Sequence, residues 1–118
     1  MRSFLRGRLR GVGFAARGAF MLLKNEASIQ AQAVIAVLMT IAGFYFNLSP
    51  TEWMMQIFAI GLVMTAEGLN TAIEEMANFV HSDFHKKIGY IKDVAAGAVF
   101  FSALVAIIIG CFIYIPKF

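Results

Sequence analysis

The sequence predicts an all-α membrane protein: three transmembrane helices preceded by an amphipathic helix on the membrane surface. Three observations carry that expectation. Hydrophobic residues make up 60% of the 118 residues and charged residues only 14%, too little polar surface for a soluble domain of this size. The apolar residues gather in three runs, roughly Ala31 to Phe46, Trp53 to about Thr71, and Val94 to Ile115. The basic residues avoid the short connection between the first two runs and collect before the first and between the second and third. A chain this short is expected to form one domain over residues 1–118.

Residues 1–25 read as the surface helix. Arg2, Arg6, Arg10, Arg17 and Lys24 share one face within roughly 80°, while Phe4, Leu5, Val12, Ala15, Ala19, Leu22 and Leu23 lie towards the opposite side. Attraction to anionic headgroups accounts for the arginines; a nucleotide-phosphate contact by one or two of them is the sharper alternative. Charges run throughout the segment, which is not the pattern of a signal peptide. Gly7, Gly11 and Gly18 share a narrow face that would admit another helix. Gly11-Val12-Gly13-Phe14-Ala15-Ala16 has the GxGxxA spacing, but no strand precedes it, so it is not read as a dinucleotide loop.

The first span, about 28–46, has an apolar run short against the ~20 residues required, so the helix is expected to extend back through Glu26 to Gln32. The turn Asn47 to Glu52 follows, with Ser49 as N-cap, Pro50 at the first helical position, and Glu52 and Trp53 at the interface. The second span is expected over about 53–80 and the third over about 92–115, with Ser82-Asp83 as a turn or cap between them. The positive-inside rule puts the N-terminus and Lys86, Lys87 and Lys92 in the cytoplasm, the short loop and Pro116-Lys117-Phe118 outside. The lone Cys111 cannot form an intrachain disulfide and is read as packing.

Function is legible in one stripe. At about 100° per residue, Glu67, Asn70, Thr71, Glu74 and Asn78 fall within an arc of roughly 100°. A charge at the bilayer centre costs ~2.5 kcal/mol or more, so two carboxylates on one face point to a site. Counted from Trp53, a rise of 1.5 Å per residue puts Glu67 ~21 Å and Glu74 ~31 Å along a hydrocarbon core of ~30 Å. Glu26 and Lys92-Asp93, just before their spans, reach the same level. That arrangement suits chemistry between a cytoplasmic reactant and a lipid headgroup better than an ion pathway, which would favour a carboxylate near mid-bilayer. Magnesium takes oxygen ligands, commonly one or two carboxylates with phosphates and water. Glu26 and Glu74 can supply two, leaving the deeper Glu67 to accept a proton from a lipid hydroxyl. The plain alternative is that these groups only hydrogen-bond between helices. Glu75, rotated ~100° from Glu74, reads as a solvated or headgroup-facing charge. His81 and His85 are spaced i, i+4 as a metal pair would be, but no third ligand lies nearby in the sequence. No Walker A loop or soluble-kinase signature is present, and nothing points to nucleic acid as a partner.

The motif Glu67-x-x-Asn70-Thr71-Ala72-Ile73-Glu74, with His85, Lys92-Asp93-Val94-Ala95-Ala96-Gly97-Ala98-Val99 and the upstream Asn25-Glu26, resembles the prokaryotic diacylglycerol kinase family, which includes undecaprenol kinases. The resemblance extends from about Phe14 to Ile113. It implies a homotrimer with active sites shared between chains, Mg-ATP as phosphate donor, and a lipid alcohol in a bacterial inner membrane as acceptor. Position by position it implies Glu67 as catalytic base, Glu26 and Glu74 as metal ligands, and Asn70 as an amide lining the site. It likewise implies His85, Lys92 and Asp93 at the nucleotide, with Arg8 or Arg10 closing over it. Asn78 falls at a nucleotide-binding position where the family pattern usually has Asp, and the change lowers the negative charge beside metal and nucleotide.

Two other classes fit less well. A small multidrug transporter would show four spans and an isolated carboxylate. A soluble carboxylate-bridged metal bundle would need Glu-x-x-His pairs, and neither Glu67 nor Glu74 has His three residues on. A family member that only scaffolds has Asn78 as its sole support. The expectation is therefore a lipid kinase converting diacylglycerol to phosphatidic acid, with undecaprenol as the alternative acceptor. Ala95, Ala98 and Ser102 are expected to permit tight packing in the trimer. Phe100, Phe101, Leu104 and Ile107 to Ile109 are expected to face lipid or serve packing.

Overall fold

A computed structural model describes residues 1–81, 83 and 85–118. Its helices are α1 (Arg2–Asn25), α2 (Ala27–Tyr45), α3 (Pro50–Val80) and α4 (Lys86–Tyr114), closed by a 3₁₀ turn over Ile115–Lys117. Three of them, α2, α3 and the helical stretch from Lys86 to Lys117, are long and apolar enough to cross a membrane. No strand occurs among the described residues. The architecture is thus the expected one, three spanning helices behind an N-terminal helix. The 31 residues of α3 rise ~46 Å, well beyond a hydrocarbon core of ~30 Å, so its polar Glu67 end has length to spare for the interface.

No residue of α1 is buried, and Leu22 alone in that helix is not fully exposed. Extents of 50 × 47 × 23 Å require α1 to project away from the spanning helices. The break falls at Glu26, whose backbone is extended at φ −106° and ψ 116°. This corrects the expectation of a helix running through Glu26: α2 does extend back across Gln32, but only to Ala27. The break is stabilised by Gln30, whose Nε2 donates to the carbonyls of Leu23 at 3.1 Å and Lys24 at 3.0 Å. These are terminal carbonyls that α1 itself leaves without partners.

At the opposite end, α2 closes in a Schellman motif. The Leu48 N–H reaches the Gly43 carbonyl at 3.1 Å and the Asn47 N–H that of Phe44 at 3.4 Å. Asn47 takes the left-handed conformation this needs, at φ 53°, which Asn tolerates better than most residues. Ser49 then starts α3 with a capping box. Its hydroxyl accepts from the Glu52 N–H at 3.2 Å, and the Glu52 carboxylate accepts from the Ser49 N–H at 2.9 Å, with Pro50 in the first turn as the sequence predicts. The same carboxylate pairs with Lys117 at 3.2 Å, pinning the C-terminal turn to the start of α3. The Trp53 indole lies on Gly43, where an added Cβ would come within 2.5 Å of the ring. Gly43→Ala is accordingly expected to cost ~1–3 kcal/mol through overpacking, read as a lower thermal midpoint in detergent; an unchanged midpoint would refute the close-approach role.

Helices α3 and α4 form the most extensive pair. Their buried residues are Gln56, Ala59, Val63 and Ala77 on α3, and Ala95, Ser102 and Ile113 on α4. Small side chains let two backbones approach where lipid removes the hydrophobic incentive to associate. Ala95 and Ser102, expected to pack between subunits, are therefore already buried within the chain, whereas Ala98 is exposed. Gln56 ties the three spans together at their Trp53 end. Its amide donates to the Met39 carbonyl of α2 at 2.9 Å and accepts from the Tyr114 hydroxyl of α4. Phe100, Phe101, Leu104, Ile107 and Ile108 form an exposed apolar surface. Cys111, expected to pack, is also exposed, because it sits on the face of α4 turned away from α3. Helix α4 starts about six residues earlier than expected. The His85 Nδ1 accepts from the Lys87 N–H at 3.0 Å and caps it. Of the expected turn at Ser82-Asp83, Ser82 lies outside the described residues and Asp83 is an exposed bend.

Candidate active site

The polar stripe occupies the last turns of α3. Glu67, Asn70 and Thr71 are half-buried; Glu74, Glu75 and Asn78 are exposed. Helical spacing puts Asn70 one turn before Glu74, and its Nδ2 donates to the Glu74 Oε1 at 3.2 Å. One carboxylate oxygen is thereby oriented and the other left open. The Asn70 Oδ1 is buried with no hydrogen-bond partner among the described residues. A buried acceptor in that condition is costly, so the position suits an incoming donor or a cation. An amide oxygen beside an oriented carboxylate is also the oxygen donor chemistry that magnesium prefers.

A contact from α1 flanks this face. A Cβ added at Gly68 would meet the Leu22 Cδ1 at 3.2 Å, so the missing side chain at 68 lets the end of α1 settle beside Glu67. Glu26 follows four residues later, half-buried at the extended break. From the other side, the Lys92 Nζ on α4 donates to the Asn78 Oδ1 on α3 at 2.7 Å. Asp93 beside it is exposed. His85 caps α4 and places its ring 5.5 Å from that of His81, edge to face.

The structure therefore joins Asn70 with Glu74 and Asn78 with Lys92. It does not gather three or more His, Cys, Asp or Glu side chains into one group among the described residues. Arg8 and Arg10 lie apart as well. At 1.5 Å per residue they are ~27 and ~24 Å from Glu26 along α1. Arg8 stacks over the Phe4 ring at 5.3 Å, and Arg10 lines a shallow surface depression with Arg2 and Arg6. Sequence reasoning missed Gln30, Leu22 and Gly68 as parts of this region. The available signal for Gln30 was a polar residue opening an apolar helix one turn after Glu26; for Gly68 it was a glycine directly after the deepest carboxylate.

Comparison with known proteins places the chain in a family. The sequence model of the family described as prokaryotic diacylglycerol kinase matches residues 13–114. Undecaprenol kinase from Bacillus subtilis (strain 168) is 38% identical over 103 residues, which cover 87% of this chain and 84% of that protein. Diacylglycerol kinase from Escherichia coli (strain K12) is 27% identical over 103 residues, with the same coverage of 87% and 84%. Diacylglycerol kinase from Haemophilus influenzae is 26% identical over 98 residues, covering 82% and 83%. With a polar face of α3 flanked by α1 and α4, and a family match over nearly its whole length, the chain belongs to the prokaryotic diacylglycerol kinase family.

Proposed function

We propose that this protein transfers the γ-phosphate of Mg-ATP to the primary hydroxyl of a membrane lipid, diacylglycerol becoming phosphatidic acid. The observation that carries this reading is the Glu67 to Asn78 face, where Asn70 orients Glu74 beside an unpartnered buried amide oxygen. The half-buried Glu67 accepts the hydroxyl proton; the lipid oxygen attacks the γ-phosphorus and ADP leaves. Phosphoryl transfer needs chiefly positioning and charge stabilisation. Glu74 and Glu26 would hold magnesium, which when bound offsets the phosphate charge. Lys92 serves the phosphates, and Asp93 and His85 the rest of the nucleotide.

Arg8 and Arg10 lie ~27 and ~24 Å along α1 from Glu26. That distance supports a homotrimer whose sites draw on neighbouring chains, with Arg8 or Arg10 reaching a neighbour's nucleotide. The distribution of basic residues supports a cytoplasmic site in the inner membrane of a bacterium. Undecaprenol is the second reading for the acceptor, favoured by 38% identity to an undecaprenol kinase against 27% to a diacylglycerol kinase. The test supplies labelled Mg-ATP and each lipid in parallel to purified protein in mixed micelles. Label in phosphatidic acid supports the first reading and label in undecaprenyl phosphate the second; label in neither sinks the lipid-kinase proposal.

The contact of Leu22 with Gly68 yields a further expectation. Gly68→Val pushes α1 away from Glu67 and is expected to slow transfer about tenfold, since ångström-scale misplacement in a positioned site can cost 10²-fold. Adding Leu22→Ala removes the clash and is expected to restore most of the rate. Failure of that rescue would show that Gly68 serves something other than the seating of α1.

A further inference from the structure

Lys92 is the half-buried lysine where α3 meets α4; Lys86 and Lys87 are exposed. Its ammonium is held by the amide oxygen of Asn78 at 2.7 Å. Among the described residues the ion pair found, Lys117 with Glu52, lies at the opposite end of the spans, and no carboxylate pairs with Lys92. The cation is thus fixed in place by a neutral acceptor. A carboxylate at 78 would fix it equally well but would cancel much of its charge. An apolar residue would leave the charge and lose the position. Asn78 also stands one helical turn beyond Glu74, on the same face.

Resting on the lipid-kinase reading, we infer that Asn78 is a positioning residue for the nucleotide: it holds Lys92 towards the phosphates with its charge uncancelled and does not itself bind nucleotide or metal. Its effect passes through Lys92, so the two residues act as a unit.

The experiment titrates trinitrophenyl-ATP into full-length protein in micelles without magnesium, for wild type, Asn78→Ala, Asn78→Asp, Lys92→Ala and the double Asn78→Ala/Lys92→Ala variant. Asn78→Ala is expected to weaken binding about tenfold, the lower end for loss of a hydrogen bond to a charged group. Asn78→Asp is expected to weaken it at least threefold through charge cancellation. The double variant is expected to bind no more weakly than Lys92→Ala alone, the non-additivity of a coupled pair. In the transfer assay, KM for ATP rises in Asn78→Ala while KM for lipid stays within about twofold, a split that a general loss of structure would not produce. Wild-type affinity in Asn78→Ala or Asn78→Asp, or a double variant whose loss is the product of the two single losses, would overturn the inference. Binding that follows the expected pattern with no transfer to either lipid would sink the lipid-kinase reading and leave this inference standing.

Discussion

Replacing Glu67 by Gln is expected to lower the rate of phosphoryl transfer by ~10²–10⁴-fold, the usual contribution of a positioned general base. The amide matches the carboxylate in size and cannot take the proton. Glu67 is half-buried on α3, where Leu22 settles over the neighbouring Gly68. The loss should therefore appear in kcat, with KM for ATP nearly unchanged, because the base acts on the lipid hydroxyl and not on nucleotide binding. The measurement is label transfer at saturating ATP and lipid, together with the thermal midpoint of the variant. Near wild-type turnover in a folded protein would remove Glu67 from the chemistry and direct attention to another acceptor of the proton.

Glu74→Gln is expected to act through the metal instead. Its amide oxygen can still accept from Asn70 Nδ2, so the local hydrogen bond of 3.2 Å is retained while the charge is removed. The magnesium concentration for half-maximal rate should rise by at least ~10-fold, since even partners of metal ligands cost 10–100-fold in affinity. Part of the rate should return at high magnesium, which separates this variant from Glu67→Gln. An unchanged magnesium requirement would exclude Glu74 as a ligand. Asn70→Leu provides the complement: it removes the orienting donor and the unpartnered buried oxygen together, and a smaller rise in the same quantity is expected from it.

Much of the fold could be read before the structure because its signals are local. The apolar runs, the Ser49-Pro50 start of α3 and the basic face of α1 each depend on residues within a few turns. The same applies to the stripe of Glu67, Asn70, Glu74 and Asn78, since helical periodicity alone puts them on one face. The misjudged features depend on residues distant in sequence or on where the backbone turns. The helix does not run through Glu26, because Gln30 folds back to satisfy the end of α1. Ala95 and Ser102 are buried within their own chain, and no sequence period distinguishes that from burial against a second chain.

Sequence alone determined that the chain is an all-helical membrane protein, and it marked the polar residues of its apolar helices as candidates for chemistry at the interface. Membrane burial makes every carboxylate and amide in an apolar helix costly, so such residues stand out without coordinates. Only the tertiary structure decided which of them work together. Asn70 serves Glu74, Asn78 holds Lys92, and Gly68 makes room for Leu22. The last two pairs join different helices, and their contacts follow from helix packing and the direction in which α1 leaves the bundle. A hydrogen bond is decided over a few tenths of an ångström, a scale set by packing across helices that periodicity does not encode.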